Sequence, residues 1–216
     1  MISINLKKRI ITTIILFLLV SIMFKSIFFL SYVLIVLGVL SLQEFFKIMQ
    51  KIFKNKFFLL IINLFFSTYV FLLCFFFLYF SSSLNLKILI FFILLCCVAS
   101  DIGGYIFGKM FNGPKLTKIS PNKTIAGAIG SILATITLMS LFSNHFYKNF
   151  GLNIILIGLI ISLLCQLGDL FFSYLKRKTK IKDTGKILPG HGGVLDRIDG
   201  ILIGLPFGFI AFLLLY

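Results

Sequence analysis

Phe57–Phe80 reads FFLLIINLFFSTYVFLLCFFFLYF, an unbroken run without a single charge. As a helix rising 1.5 Å per residue it is about 36 Å long, enough to cross the ~30 Å hydrocarbon core of a bilayer. Hydrophobic all round, it has no polar face to turn toward water. The rest of the chain is of the same kind: 60% of its 216 residues are apolar and 12% charged, with a mean hydropathy of +1.12. An ordinary soluble domain is thereby excluded. With spans of about 20 residues there is room for roughly six to eight helices and no separate soluble domain. The expected fold is an all-α polytopic membrane helix bundle, a single integral-membrane domain over residues 1–216.

Upstream of that run, Ile10–Phe24 follows Lys7, Lys8 and Arg9 and has no small-residue cleavage site, so it reads as a retained first helix. Ile27–Leu42 is the second span. Gln43–Lys56, with Lys47, Lys51, Lys54 and Lys56 among Phe and Ile, reads equally as an interfacial helix or a solvated loop. Downstream, Ile88–Lys109, Thr124–Phe142, Leu152–Leu175 and Ile201–Tyr216 bring the total to about seven transmembrane helices. Ala126, Gly130 and Ala134 form one small-residue stripe and Gly200, Gly204 and Gly208 another, which lets helices approach closely within one chain or between two; a homodimer is left open. Pro206 is expected to kink the last span. The four cysteines lie in apolar runs without ligand spacing and read as small fillers.

The amino terminus is expected to be cytoplasmic. Only Lys25, Lys87 and Lys148 of the twenty-one Lys and Arg residues then fall outside, as the positive-inside rule requires. That rule also accounts for the net charge of +15 without nucleic acid as a partner. His145 falls in the exterior loop Ser143–Gly151 and has no assigned role.

The six acidic residues are distributed unevenly. Asp169, Asp183, Asp196 and Asp199 all lie in Gln166–Gly200, QLGDLFFSYLKRKTKIKDTGKILPGHGGVLDRIDG, leaving Glu44 and Asp101 elsewhere. Asp101 and Asp169 sit within spans near their cytoplasmic ends, where an unpaired carboxylate costs ~2.5–3.5 kcal/mol. Either they pair with Lys or Arg of neighbouring helices, or they face a polar cavity together with Asp196 and Asp199. Carboxylates gathered in such a cavity stay ionised with a divalent, oxygen-ligated cation, and magnesium is the natural one because it shares its positions with water and phosphate. Lys123, Lys176, Arg177, Lys178 and Arg197 supply charge for phosphates. Gly192 and Gly193 in PGHGG leave backbone N–H groups open to an anion. His191 reads as a phosphate or carboxylate partner.

The run from Ser173 to Asp199, with Ser-x-Leu-Lys-Arg, Lys-Asp, Leu-Pro-Gly-His-Gly-Gly and Asp-Arg-Ile-Asp, resembles the signature of the phosphatidate cytidylyltransferases, or CDP-diacylglycerol synthases. SDIGGYIFGK at Ser100–Lys109, ISPNKT at Ile119–Thr124 and QLGDL at Gln166–Leu170 are also similar to that family. Ile125 and Ala126 stand where members generally carry Trp-Glu, so no role passes to that position.

The resemblance implies transfer of CMP from CTP to phosphatidic acid, with Mg2+ as cofactor and a second, monovalent cation left open. It places Asp169 and Asp196 as metal ligands, with Asp199 and Asp101 as further contributors. Catalytic roles fall to Asp169, Asp196, Lys176 and Arg177. CTP or the lipid phosphate would be bound by Ser120, Asn122, Lys123, Thr124, His191, Gly192, Gly193 and Arg197. CTP is cytosolic and phosphatidic acid presents its phosphate at the inner leaflet, so the protein is expected in the cell (inner) membrane with its site facing the cytoplasm. A CDP-alcohol phosphotransferase is disfavoured because nothing acidic follows Asp199. A cation transporter is disfavoured because the aspartates gather at one face. A CTP-dependent lipid kinase is separated only by its product.

Overall fold

A computed structural model describes residues 15, 18–111, 113–117, 119–148, 151–185, 187 and 192–216. Among them the architecture is helical, with one isolated bridge between Lys115 and Thr124. Helix α1 covers residues 18–25. It is followed by α2 (Ile27–Ile52), α3 (Lys56–Phe80), α4 (Leu84–Phe111), α5 (Ile125–Tyr147), α6 (Leu152–Lys178) and α7 (Leu195–Leu215). The last six are long and apolar enough to cross a membrane, and the chain is a multi-pass membrane protein. Residues 10–14, 16 and 17 of the first expected span lie outside the described residues.

Ser26 separates α1 from α2. Its backbone is extended, and its side chain accepts from Phe29 N at the start of α2, satisfying a donor that a helix start otherwise leaves free. Asn55 does the same for α3. Residues 43–52 are neither a separate interfacial helix nor a loop, because α2 runs unbroken to Ile52; only residues 53–55 form a connection before α3. Glu44, Phe45, Ile48 and Met49 are buried on one face, while Lys47 and Lys51 are exposed, so burial of that face carries the helix past its last apolar run. At the other end of the chain, α6 extends to Lys178 and α7 begins at Leu195, which places Asp196 and Asp199 inside a helix. His145 lies in the last turn of α5, not in a loop. Pro206 lies within α7.

Two compact units divide the contacts. The first comprises Met1–Lys87 and Leu175–Ile198. In it α2 packs on α3: Phe45 and Phe66 stack with centroids 3.8 Å apart, and a Cβ added to Gly38 would sit 3.4 Å from Val70. Of α3 only Phe66, Val70 and Phe77 are buried, so the charge-free run presents most of its surface outward, as a lipid-facing helix does.

The second unit comprises Ile88–Tyr174 and Asp199–Tyr216. Both small-residue stripes are used within this chain. A Cβ on Gly103 of α4 would lie 2.6 Å from Ala134 Cβ and Gly130 O, and one on Gly200 of α7 would lie 3.1 Å from Cys165 O. Close approach lets buried hydroxyls bridge α4, α5 and α6. Ser131 Oγ donates to Ser100 O at 2.7 Å, Ser100 and Ser162 hydroxyls meet at 3.3 Å, and Gln166 Nε2 donates to Ala128 O at 3.3 Å and Ser162 Oγ at 3.1 Å. Each such bond between membrane helices contributes about 0.6 kcal/mol. Cys96, Cys97 and Cys165 are buried free thiols.

Candidate active site

The first unit gathers its polar groups around a residue that the sequence analysis left without a role. Glu44 is 2% exposed. Its carboxylate accepts from Thr184 Oγ1 at 2.6 Å, Val194 N at 3.0 Å and Leu195 N at 2.9 Å. The two amides belong to the start of α7, where backbone donors have no helical partner and a negative charge is favoured. The chain must run close for this to work. A Cβ on Gly185 would lie 2.5 Å from Glu44 Oε1, and one on Gly193 would meet both carboxylate oxygens and the Thr184 hydroxyl. Gly192 has φ +85°, a left-handed conformation that glycine adopts without Cβ strain. The glycines read as an anion-binding turn are thus required at least in part by Glu44.

Asp196 is the second anchor of the same segment. Its Oδ2 accepts from Thr184 N at 2.8 Å and Gly193 N at 3.0 Å, the latter reaching back three residues in the manner of a capping box. Thr184 Oγ1 lies 3.0 Å from that oxygen and 2.6 Å from Glu44; a hydroxyl carries one proton, and the shorter contact assigns it to Glu44. Asp196 Oδ1 takes Lys176 Nζ at 2.7 Å, in a pair whose side chains are only 12% and 7% exposed. A buried pair of this kind holds geometry more than it adds stability. Arg177, one residue on, donates to Ile181 O at 3.4 Å. The contacts of Glu44 put the lysine-bearing end of α2 beside Thr184 and the start of α7.

In the second unit the loop before α5 aims a lysine at a carboxylate. Leu116 N donates to Lys123 O at 2.7 Å, Lys123 N to Ser120 O at 3.0 Å and Ile125 N to Pro114 O at 3.0 Å. This framework directs Lys123 Nζ onto Asp169 Oδ2, a salt bridge whose partners are 26% and 29% exposed. Thr124, expected at a substrate, caps α5 by accepting from Gly127 N at 3.1 Å. Asn122 is exposed. Asp101 of α4 is exposed. Asp199 is 7% exposed, and its carbonyl oxygen lies 2.6 Å from a Cβ built on Gly168, next to Asp169. Asp101, Asp169 and Asp199 thus belong to this unit, and Asp196, Lys176, Arg177, Gly192, Gly193 and Arg197 to the first. His191 lies outside the described residues.

A signal for Glu44 was present in the sequence. It stands two residues past the apolar run Ile27–Leu42, and the cost reasoning applied to Asp101 and Asp169 applies to it as well. Four neighbouring lysines gave its surroundings the look of a surface stretch.

The described motifs lie in a region with known relatives. The family model of the cytidylyltransferases matches residues 62–215. The chain belongs to the cytidylyltransferase family. Among curated proteins, phosphatidate cytidylyltransferase of Helicobacter pylori (strain J99) is 48% identical over 108 residues, 50% of this chain and 40% of that protein. Those of Staphylococcus haemolyticus and Staphylococcus aureus (strain COL) are 45% and 47% identical over 111 residues, 50% of this chain and 42% of each relative. The matched stretch therefore spans about two fifths of these cytidylyltransferases. The family match takes in Lys123, Asp169, Lys176 and Asp196 but begins after Glu44.

Proposed function

We propose that this cytidylyltransferase-family chain transfers CMP from CTP to phosphatidic acid at the cytoplasmic face of the inner membrane, giving CDP-diacylglycerol and pyrophosphate. The observation that carries the reading is the 45–48% identity to proteins named phosphatidate cytidylyltransferase. An oxygen of the lipid phosphate bonds to the α-phosphorus of CTP, the bond from that phosphorus to its β-bridging oxygen breaks, and pyrophosphate leaves. No protein nucleophile is needed; the demand is for positioning and for positive charge on the phosphoryl oxygens.

Within the second unit, Lys123 is held by its loop beside Asp169, where it can meet a phosphate oxygen without a large reorganisation. In the first unit, Lys176 and Arg177 sit in the last turn of α6, and Asp196 fixes Lys176. Gly192 and Gly193 close the turn against Asp196 and Glu44. The donor set fits a hard cation: the assigned groups are carboxylates, and Asp169 Oδ2 already faces a positive charge. Among the described residues no three His, Cys, Asp or Glu side chains form a cage by themselves. Magnesium needs none, since it draws one or two ligands from protein and the rest from water and phosphate. Asp169, with Asp101 and Asp199 of the same unit, is assigned to magnesium, which when bound neutralises charge on the phosphoryl oxygens. Asp196 has one oxygen filled by backbone N–H groups, so Oδ1, now on Lys176, is the atom open to exchange.

Purified full-length protein given phosphatidic acid, CTP and Mg2+ should yield CDP-diacylglycerol and pyrophosphate in equal amounts by mass spectrometry and phosphate assay, and chelation should stop both. Folded protein that forms neither would overturn the reading.

A further inference from the structure

The first unit contains a cavity of about 300 Å3 between the end of α2 and the segment leading to α7. Lys47, Ile48, Gln50 and Lys51 line it from α2, and Ile181, Asp183 and Thr184 line it from the segment leading to α7. Its size is at the small end for ligand sites, which suits a headgroup or a nucleotide phosphate chain rather than a whole lipid. Lys47 and Lys51 are one helical turn apart, so their side chains project from one face. Both are exposed, and among the described residues neither takes part in the ion pairs formed. Among the lining side chains the two lysines outnumber Asp183, and the carboxylates behind Thr184 are already met by donors, Glu44 by Thr184, Val194 and Leu195 and Asp196 by Lys176, so the cavity favours an anion.

Its position narrows the class of anion. The apolar part of α2 ends at Leu42, and Lys47 follows about 7.5 Å further along the axis, the depth at which lysines meet lipid phosphates. The opposite wall is rigid: Thr184 is held through its hydroxyl by Glu44 and through its amide by Asp196. An occupant touching Thr184 therefore touches the segment that carries Lys176's partner.

We propose that this cavity is a phosphate seat in which Lys47 and Lys51 bind the phosphomonoester of an anionic lipid or the triphosphate of the nucleotide. The identity of the two candidates rests on the reaction proposed above; the cavity and its charge do not. Both lysines are exposed, so Lys47→Gln/Lys51→Gln leaves packing intact. A control, Lys54→Gln/Lys56→Gln, removes the same charge from the α2–α3 connection and the first residue of α3 without touching the cavity.

The test uses full-length protein in phosphatidylcholine nanodiscs. Equilibrium binding of labelled CTP and of a fluorescent phosphatidic acid is measured alongside half-saturation and turnover. With each lysine worth about a factor of five near a phosphate, the double variant should weaken one probe by ~20-fold, with kcat within twofold of wild type and the control near wild type. Loss for phosphatidic acid alone identifies the lipid phosphate as occupant, and loss for CTP alone the nucleotide. Lysine-dependent binding in a protein without turnover would sink the reaction and leave the seat standing. Unchanged binding of both probes, binding of neither by wild type, or an equal loss in the control would overturn the proposal.

Discussion

Replacing Glu44 tests the reading of the first unit at its most exposed point. Glu44→Ala removes the acceptor of three hydrogen bonds and leaves Val194 N and Leu195 N, both in buried residues, without a partner. Each stranded donor costs about 1–3 kcal/mol, and water entering the space left by the side chain recovers part of that. A net loss of about 3 kcal/mol follows, at the large end for a single substitution. For a chain of this length it corresponds to a fall in Tm of roughly 6–12 °C. Glu44→Gln keeps the shape and one acceptor but turns an N–H toward Thr184 and Leu195, so it should lose roughly half as much. The assay is thermal denaturation in detergent by intrinsic Tyr fluorescence, paired with trypsin cleavage after Lys182, which reports local opening of the segment before global unfolding. Faster cleavage in the order wild type, Gln, Ala is expected. Glu44→Ala that melts within 2 °C of wild type and resists trypsin equally would refute the claim that this carboxylate holds the segment in place.

Three further outcomes follow from individual contacts. Gly193→Ala puts a methyl group against Thr184 Oγ1 and both Glu44 oxygens; it should destabilise about as much as Glu44→Ala, and the double variant should lose far less than the sum when melted in parallel. Asp169→Asn breaks a part-exposed pair with Lys123 worth only ~0–1 kcal/mol, so Tm should stay within 3 °C while turnover falls at least ~100-fold. Magnesium-dependent turnover near wild type would remove Asp169 from the site. Gly103→Ala drives a methyl group to 2.6 Å from Gly130 O and Ala134 Cβ and should cost about 1–3 kcal/mol, read as a lower Tm with unchanged KM in the residual active fraction.

The helices were legible in the sequence because each is an apolar run bounded by charges, and the break at Ser26 follows from a side chain able to cap. The small-residue stripes were legible too, since a four-residue repeat of Gly and Ala has one use in a membrane helix. Helix ends were less so. Lys47 and Lys51 gave the end of α2 the composition of a connecting segment, and only the burial of Glu44, Phe45, Ile48 and Met49 on the opposite face shows it to be helix. Lys123 and Asp169 were each picked out, but their pairing depends on the backbone bonds among Pro114, Leu116, Ser120, Lys123 and Ile125 and is not written in either residue. Thr124 stood in a motif associated with substrate, while the structure uses its hydroxyl at the start of α5. Glu44 was the least legible. Its partners lie 140 to 151 residues away, and no local pattern announces a contact of that range.

The central claim is the identity of the group transferred. Full-length protein in detergent, given phosphatidic acid and Mg2+, should be incubated in parallel with CTP labelled at the α-phosphate and CTP labelled at the γ-phosphate, and the lipid phase counted. CMP transfer predicts α-label in the lipid and γ-label only in water, as pyrophosphate. Label from the γ-position in the lipid would contradict the account and make the chain a lipid kinase, and folded protein that leaves the lipid unlabelled in both arms would contradict it outright.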